Sequence, residues 1–235
     1  MYQFQSRIRY SETDSSGRLS LPGLLDYFQD CSIFHSEDLG LGVKYLKEKE
    51  LIWALTFWQI IVKRYPDQSE HVKIGTAPYD FKGFIGYRNF WMWDESGREI
   101  AVANSIWSLI HMGDGKPAKL PPEMLEKYVL SPKAEMEYAN RKIVFEGEGR
   151  PADKMTVTAH HLDTNQHVNN GQYVRIAMDH LPEKCLIGQL RAEYKKQAVL
   201  GTEMYPVVFE TEDKTGVSLQ DEAGAVYCNV EFTRM

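Results

Sequence analysis

Two stretches of the chain, DSSGRLSLPGLLDYFQD at residues 14–30 and DTNQHVNNGQYVRIAMD at residues 163–179, each join a short polar turn to an apolar helical pattern. In the first stretch, Ser20 can cap a helix, and Pro22 suits the first turn, where its missing N–H is harmless. In the second, Asn169 and the glutamine three positions later have the spacing of a capping box. Both stretches therefore predict a buried helix that begins directly after a turn.

The segments that follow each predicted helix have the apolar content of strands and are separated by turn signals. The two opening stretches align without gaps at an offset of 149 residues, and several apolar positions coincide. A helix followed by about four antiparallel strands thus occurs twice, which is an internal repeat. The predicted strands are 53–63, 71–79, 86–93 and 100–111 after the first helix, and 189–197, 202–211, 216–220 and 225–233 after the second.

The repeat predicts an α+β fold of two consecutive modules, each formed by a long helix and an antiparallel sheet. Residues 1–112 form the predicted N-terminal module and residues 152–235 the C-terminal module. The connecting segment 113–151 is bounded by turns that contain glycine and proline, but it includes apolar residues. We therefore expect it to contain a short helix at 122–127 and to cross the surface of one module.

The composition of the 235 residues excludes several classes of protein. With 43% hydrophobic and 12% aromatic residues, the chain is typical of a globular protein rather than a disordered one. A net charge of −6 gives no general attraction to nucleic acid, and the most apolar segment, 51–62, is too short to span a bilayer. Cys31, Cys185 and Cys228 are too scattered for a disulfide framework. Since the N-terminus has no apolar signal core, we expect a reducing cytoplasm.

The densest cluster of catalytic residue types directly precedes the second predicted helix. Asp163, Asn165 and His167 lie two residues apart, and alternate residues of an extended segment face the same way. A carboxylate, an amide and an imidazole would then converge beside the free N–H groups of a helix, which can hold a developing oxyanion. His167 could act as acid or base near neutral pH, and Asp163 could orient it or activate water.

Other chemistries have weaker support in the sequence. His160, His161, Asp163 and His167 could be metal ligands, but no second cluster with metal-ligand spacing accompanies them, so we expect no metal. The chain has no Gly-x-Gly-x-x-Gly, Walker A or Gly-x-Ser-x-Gly motif. Nucleotide binding and serine hydrolase chemistry are therefore not indicated.

The pattern DxNxHVNNxxY at 163–173 resembles the signature of acyl-acyl-carrier-protein (acyl-ACP) thioesterases, and its NxHVNNxxY part is similar to hotdog-fold thioesterases in general. LIWALT at 51–56, VKRYP at 62–66 and EYKK at 193–196 resemble further segments of that family. The resemblance covers nearly the whole chain. It implies two tandem hotdog modules and hydrolysis of medium- or long-chain acyl-ACP to free fatty acid in fatty acid biosynthesis, without a cofactor. Since the chain begins almost at the fold, it is expected to be similar to the bacterial members of the family.

Carried over residue by residue, the resemblance implies catalytic roles for Asp163, Asn165 and His167. Where the family often continues Glu-Tyr-Arg-Arg-Glu-Cys, this chain has EYKKQA, so Gln197 replaces the acid and Ala198 replaces the thiol. Alanine cannot be a nucleophile, which favours hydrolysis by an activated water. Asp163 would orient or deprotonate the water or attack directly, and Asn165 with a helix N–H would hold the thioester oxygen. Gln197 would hold the water.

The N-terminal module is predicted to be catalytically silent and to contain the acyl-chain pocket. Ser16 and Arg18 stand there at the positions of the amide and the imidazole. All five tryptophans lie in this module, which is compatible with an apolar tunnel as well as with ordinary core packing. The predicted substrate contacts are Trp53, Trp58, Asn169, Asn170 and Tyr173.

The implied partner is an acyl carrier protein that bears a fatty acyl phosphopantetheine thioester. Because the carrier is acidic, we expect a local basic patch on the enzyme despite its net negative charge. Lys63 with Arg64 and Lys195 with Lys196 are the candidates, although solvated strand ends explain them equally well. The protein would be a monomer or a homodimer. Two other functions stay open, an acyl-CoA thioesterase and a non-catalytic acyl-ACP-binding module.

Overall fold

The computed structural model describes residues 1–182 and 185–235, and the chain divides into two compact units. Unit 1 comprises residues 1–56 and 60–138, and unit 2 comprises residues 57–59 and 139–235. Apart from the three residues 57–59 of strand 51–62, the chain passes from unit 1 to unit 2 between Tyr138 and Ala139, inside the segment 113–151. In the part of the chain that the structure describes, no helix is long and apolar enough to cross a bilayer.

Unit 1 contains a helix and an antiparallel sheet, as the sequence predicts. The strand order is β1-β3-β4-β5-β2, and the pairs β1–β3, β3–β4 and β4–β5 are antiparallel. A short helix covers the predicted positions 122–127. The elements are β1 (Tyr2–Arg7), α1 (Leu21–Asp38), α2 (Val43–Glu48), β2 (Leu51–Val62), β3 (His71–Lys82), β4 (Ile85–Asp94), β5 (Glu99–His111) and α3 (Pro122–Lys127).

Unit 2 repeats the plan with a shorter helix. Its strand order is β8-β11-β10-β9-β6, β7 also pairs with β9, and every described pair is antiparallel. The predicted strands therefore form, with ends that differ by a few residues. The elements are β6 (Arg150–Pro151), β7 (Met155–Thr156), α4 (Asn170–Met178), β8 (Ile187–Tyr194), β9 (Glu203–Glu210), β10 (Lys214–Gln220) and β11 (Val226–Arg234).

Helix α1 is held by its cap and by its apolar face. The Ser20 hydroxyl accepts a hydrogen bond from the N–H of Gly23 at 3.1 Å, as expected for an N-cap. Leu24, Leu25 and Phe28 follow helical spacing and are almost fully buried. Burial of each such side chain contributes about 1.5–3 kcal/mol of transfer free energy, so the packed face stabilises this helix more than its cap does.

Helix α4 differs from its prediction at both ends. Asn169 caps it, but the Oδ1 atom accepts from the N–H of Gly171 at 2.8 Å, and the capping box with Gln172 does not form. The helix ends at Met178 rather than at Leu181. Beyond it the chain forms tight turns, in which the N–H groups of His180 and Leu181 donate to carbonyls three residues back. Pro182 disfavours helical backbone in the residue before it, so the regular helix ends earlier than the periodicity of the sequence predicts.

A buried cation lies against α1 in unit 1. The Arg88 side chain is 8% exposed, and its Nη1 donates to His35 Nδ1 at 3.0 Å and to Thr76 Oγ1 at 3.2 Å. The guanidinium carbon lies 5.5 Å from the centre of the Tyr128 ring. Burial, and then the positive charge of Arg88, lower the pKa of His35 from its ordinary value of 6.5 to about 3. His35 is therefore a neutral acceptor in the folded protein.

The stability of the fold should depend on pH through His35. The unfolded chain takes up a proton at pH 6.5 and the folded chain only at about pH 3, so this contribution is fully present above pH 6.5 and is lost as the pH falls toward 3. We expect His35→Gln, which keeps an acceptor but does not titrate, to flatten the pH dependence of the free energy of unfolding in this window. Urea unfolding at several pH values measures it, with the exposed His71→Gln as control. A wild-type slope in H35Q would contradict the assignment.

Candidate active site

The loop before α4 is a tight turn built on one carboxylate. Asp163 Oδ1 accepts the backbone N–H of Asn165 at 2.8 Å and that of His167 at 3.3 Å. The Asp163 N–H donates to the His167 carbonyl at 2.8 Å, and Leu162 and Val168 form an isolated bridge on either side. These bonds fix the backbone positions of the three predicted catalytic residues within five residues of chain.

The side chains in this turn differ in their surroundings. Asn165 is exposed, whereas His167 is half-buried. The His167 Nδ1 atom is buried and has no hydrogen-bond partner among residues 1–182 and 185–235. A buried polar nitrogen without a partner costs about 1–3 kcal/mol, a penalty that a bound substrate or water can remove. The Nδ1 atom of His167 thus keeps an unused capacity for one hydrogen bond.

The segment after β8 lies beside this turn. The Val168 N–H donates to the Ala198 carbonyl at 2.9 Å, and the Ala198 N–H donates to the Tyr173 hydroxyl at 2.9 Å. The same hydroxyl is 3.5 Å from the Lys196 carbonyl. Gln197 is exposed between these two anchored residues. The structure therefore brings the backbone of the predicted Gln197 position to the same corner of unit 2 as the Asp163 turn.

Most residues predicted to contact substrate have structural partners. The Asn169 side chain caps α4, its carbonyl accepts the N–H of Gln172 at 2.9 Å, and the Asn170 carbonyl accepts the Tyr194 hydroxyl at 3.1 Å. The Tyr173 side chain is 3% exposed and binds the segment after β8. Sequence spacing could not reveal the role of Tyr194, because the residue that it binds lies 24 positions away in the chain.

The predicted tryptophans are core residues. Trp58 is fully buried. Trp53 is partly buried and packs against an apolar cluster of unit 1 that includes Leu51 and Leu109. Packing accounts for both positions, and a role in binding an acyl chain stays a prediction.

Each predicted docking cation has an acidic partner in the chain. Arg64 makes two hydrogen bonds to Glu70, at 2.9 and 2.5 Å, so it is the most firmly paired of the four. The other three are exposed lysines, and each pairs with a single carboxylate oxygen. Because such exposed ion pairs contribute little free energy, these lysines can exchange partners at small energetic cost. The pairs are Lys63–Glu99 at 2.7 Å, Lys195–Glu193 at 3.6 Å and Lys196–Asp221 at 3.2 Å.

The cysteines offer little nucleophilic character. Cys31 and Cys228 are fully buried, and burial raises the pKa of Cys31 to about 12 and that of Cys228 well above its ordinary value. Their thiols are therefore protonated at neutral pH. Cys185 is partly exposed, between the end of α4 and β8.

Comparison with known proteins identifies the fold. An acyl-ACP thioesterase of Bacteroides thetaiotaomicron VPI-5482 superposes with a TM-score of 0.90 over 99% of this chain and 97% of that one, at 24% identity. The 12:0-ACP thioesterase of Umbellularia californica gives 0.84 over 100% and 96%, at 16% identity. These likenesses confirm the prediction of a hotdog fold.

The family follows from the sequence. The family model described as acyl-ACP thioesterase N-terminal domain matches residues 1–128, and that of the acyl-ACP thioesterase C-terminal domain matches residues 148–233. The chain belongs to the acyl-ACP thioesterase family.

Curated relatives include the chloroplastic acyl-[acyl-carrier-protein] hydrolase FATB1 of Cuphea viscosissima, which is 27% identical over 208 residues, or 81% of this chain and 49% of the relative. The chloroplastic palmitoyl-acyl carrier protein thioesterase of Gossypium hirsutum is 25% identical over 81% of this chain and 50% of its own length. The chain spans about half the length of the curated relatives it matches.

The Tyr173 hydroxyl should stabilise the corner of unit 2. Tyr173→Phe leaves the buried Ala198 N–H without its acceptor, so we expect the free energy of unfolding to fall by about 1–3 kcal/mol. Urea unfolding measures the loss. Tyr205→Phe is the matched control, because that hydroxyl donates to the exposed Glu203 and its removal should have little effect. Equal losses in the two variants would contradict a special role for Tyr173.

Proposed function

We propose that this protein hydrolyses acyl-ACP thioesters to free fatty acid and ACP, as part of fatty acid biosynthesis. The observation that carries the proposal is the turn at 163–167, which holds an amide and an imidazole at the start of α4 in a chain of the acyl-ACP thioesterase family. Among the described residues, the Nδ1 atom of that imidazole has no hydrogen-bond partner. Curated relatives are named as hydrolases or thioesterases of acyl carrier proteins. These names support the same substrate here.

The reaction needs a water, a site for the oxyanion and a proton path. The oxygen of water bonds to the thioester carbon, and the carbonyl oxygen becomes an oxyanion that the Asn165 amide and the Asn170 N–H hold. The N–H groups of Gly171 and Gln172 already bind Asn169, so that of Asn170 is the first helical donor left for substrate. The carbon–sulfur bond then breaks, and the proton taken from water reaches the leaving thiolate through His167.

Gln197 and Asp163 complete the proposed set. The Gln197 amide is exposed and can hold the attacking water, but it cannot remove a proton. The Asp163 carboxylate has three roles open to it, which are orienting the water, deprotonating it and attacking the carbonyl carbon. With Ala198 at the thiol position and two cysteines buried, hydrolysis through a cysteine is not favoured.

Unit 1 is proposed to be silent in catalysis and to bind the acyl chain. Its turn at Asp14 keeps the carboxylate but has Ser16 and Arg18 where unit 2 has the amide and the imidazole. A serine hydroxyl that is bonded to Asp14 at 2.6 Å and an arginine that cannot lose its proton do not supply an acid–base group. The free cysteines support a reducing compartment, which we propose to be the cytoplasm.

Release of thiol from a panel of acyl-ACPs and the matching acyl-CoAs tests this function. We expect turnover that resists a chelator and strongly favours the ACP thioesters, with a preferred chain length. Asn165→Ala should lower kcat by about 100-fold or more because it removes an oxyanion donor. Activity on CoA thioesters alone would make the protein an acyl-CoA thioesterase. Binding of acyl-ACP without turnover would make it a binding module, an alternative that Gln197 and Ala198 leave open and that the set of Asp163, Asn165 and His167 argues against.

A docking role for the basic pair after β8 predicts a substrate-specific defect. We expect Lys195→Gln combined with Lys196→Gln to raise the KM for acyl-ACP by about threefold or more and to leave the KM for acyl-CoA nearly unchanged. Lys44→Gln with Lys47→Gln, two exposed lysines of α2, is the control. Steady-state kinetics at low salt measure the difference, and equal changes for the two substrates would contradict docking at this pair.

A further inference from the structure

Within residues 1–182 and 185–235, four aspartates build the same turn. In each, the Oδ1 atom accepts the backbone N–H groups two and four residues later, and the aspartate N–H donates to the carbonyl four residues later. The N–H to Oδ1 distances are 2.8 and 3.3 Å at Asp14, 3.0 and 3.0 Å at Asp94, 2.8 and 3.3 Å at Asp163, and 3.1 and 2.8 Å at Asp221.

Three of these turns have no catalytic partners. The Asp94 and Asp221 turns join neighbouring strands, and the Asp14 turn precedes α1 with a serine and an arginine in place of the amide and the imidazole. The distances at Asp14 equal those at Asp163. The aspartate is present where the amide and the imidazole are absent. Its carboxylate therefore stabilises the backbone of the turn independently of any catalytic role.

The turn at Asp163 needs its carboxylate more than the other three do. The residue three positions after the aspartate is glycine in the other three turns, with φ of 78° at Gly17, 79° at Gly97 and 83° at Gly224. In this turn it is Gln166, with φ of 63°. A non-glycine residue in this left-handed region is strained. The two bonds to Asp163 Oδ1 hold that strained backbone in place.

We propose that Asp163 is a positioning residue and is neither the nucleophile nor the base of the hydrolysis. Its Oδ1 atom binds the backbone N–H groups of Asn165 and His167, which are the two residues proposed to meet the oxyanion and the proton. Loss of these bonds lets the strained turn relax and moves both side chains. This inference rests on the proposed function, and it assigns one of the three roles left open to Asp163.

The substitutions Asp163→Asn and Asp163→Ala separate the roles. Asparagine keeps an oxygen that can accept both N–H groups and favours the same type of turn, but it has no charge and can neither attack nor remove a proton. Alanine removes the acceptor. A positioning role predicts that D163N keeps kcat within about tenfold of wild type and keeps its pH profile, whereas D163A loses about 100-fold or more because the reacting groups are misplaced.

The matched pair Asp14→Asn and Asp14→Ala is the control in unit 1. We expect D14A to lower stability and D14N to do so less, with kcat unchanged in both. Intact mass after the assay checks that the new asparagine at 163 has not deamidated to aspartate. If D163N is as inactive as D163A while both fold, Asp163 takes part in the chemistry and the proposal is wrong.

Amide hydrogen exchange separates this test from that of the function. The N–H groups of Asn165 and His167 should exchange slowly in wild type and D163N and quickly in D163A. If the wild-type protein hydrolyses no thioester, the proposed function fails, and exchange still decides whether Asp163 holds the turn. Equal exchange in D163N and D163A would overturn the positioning role.

Discussion

A single carboxylate oxygen that accepts two backbone N–H groups determines how each large helix of this protein is entered. This oxygen closes a short polar turn, and the turn fixes the direction in which the chain enters the helix cap. In unit 1 the cap is Ser20, and in unit 2 it is Asn169. The buried face of the helix and the strands that cover it depend on that direction, since a helix that starts with a different tilt presents different side chains to its sheet. The turn is thus shared by the fold and by the site.

The sequence predicted the fold well because its signals are local. Caps, helical spacing and turn residues each act within a few residues of chain, and they located the starts of α1 and α4 and the eight principal strands. The end of α4 was wrong, because the competition between regular helix and tight turns before Pro182 depends on small energy differences. The register of the strands and the division of the chain at Tyr138 involve contacts that are distant in sequence, and periodicity does not encode them.

The site was predictable in its residue types but not in its bonds. The spacing of Asp163, Asn165 and His167 pointed to a cluster, and the repeat aligned Gln166 with Gly17, which was the available signal for a strained backbone. The anchoring of Ala198 by Tyr173 could not be predicted, since these residues are 25 positions apart. Two acidic partners of the basic pairs were missed for the same reason, since Lys63 binds Glu99 36 positions later and Lys196 binds Asp221 25 positions later. Local patterns reveal which groups are present, whereas long-range packing decides what each group binds.

The corner formed by Tyr173 and Ala198 determines which side chains position 198 can accept. Residue 198 holds this corner through its main chain, because its N–H and its carbonyl are both hydrogen-bonded within unit 2. The residue itself is only 1% exposed, so its side chain lies in a small buried space. A side chain of similar size, such as that of serine or cysteine, fits the same space, so the architecture does not require alanine at this position. A substitution at residue 198 can therefore change the chemical groups at this corner while the main-chain bonds that hold it stay in place.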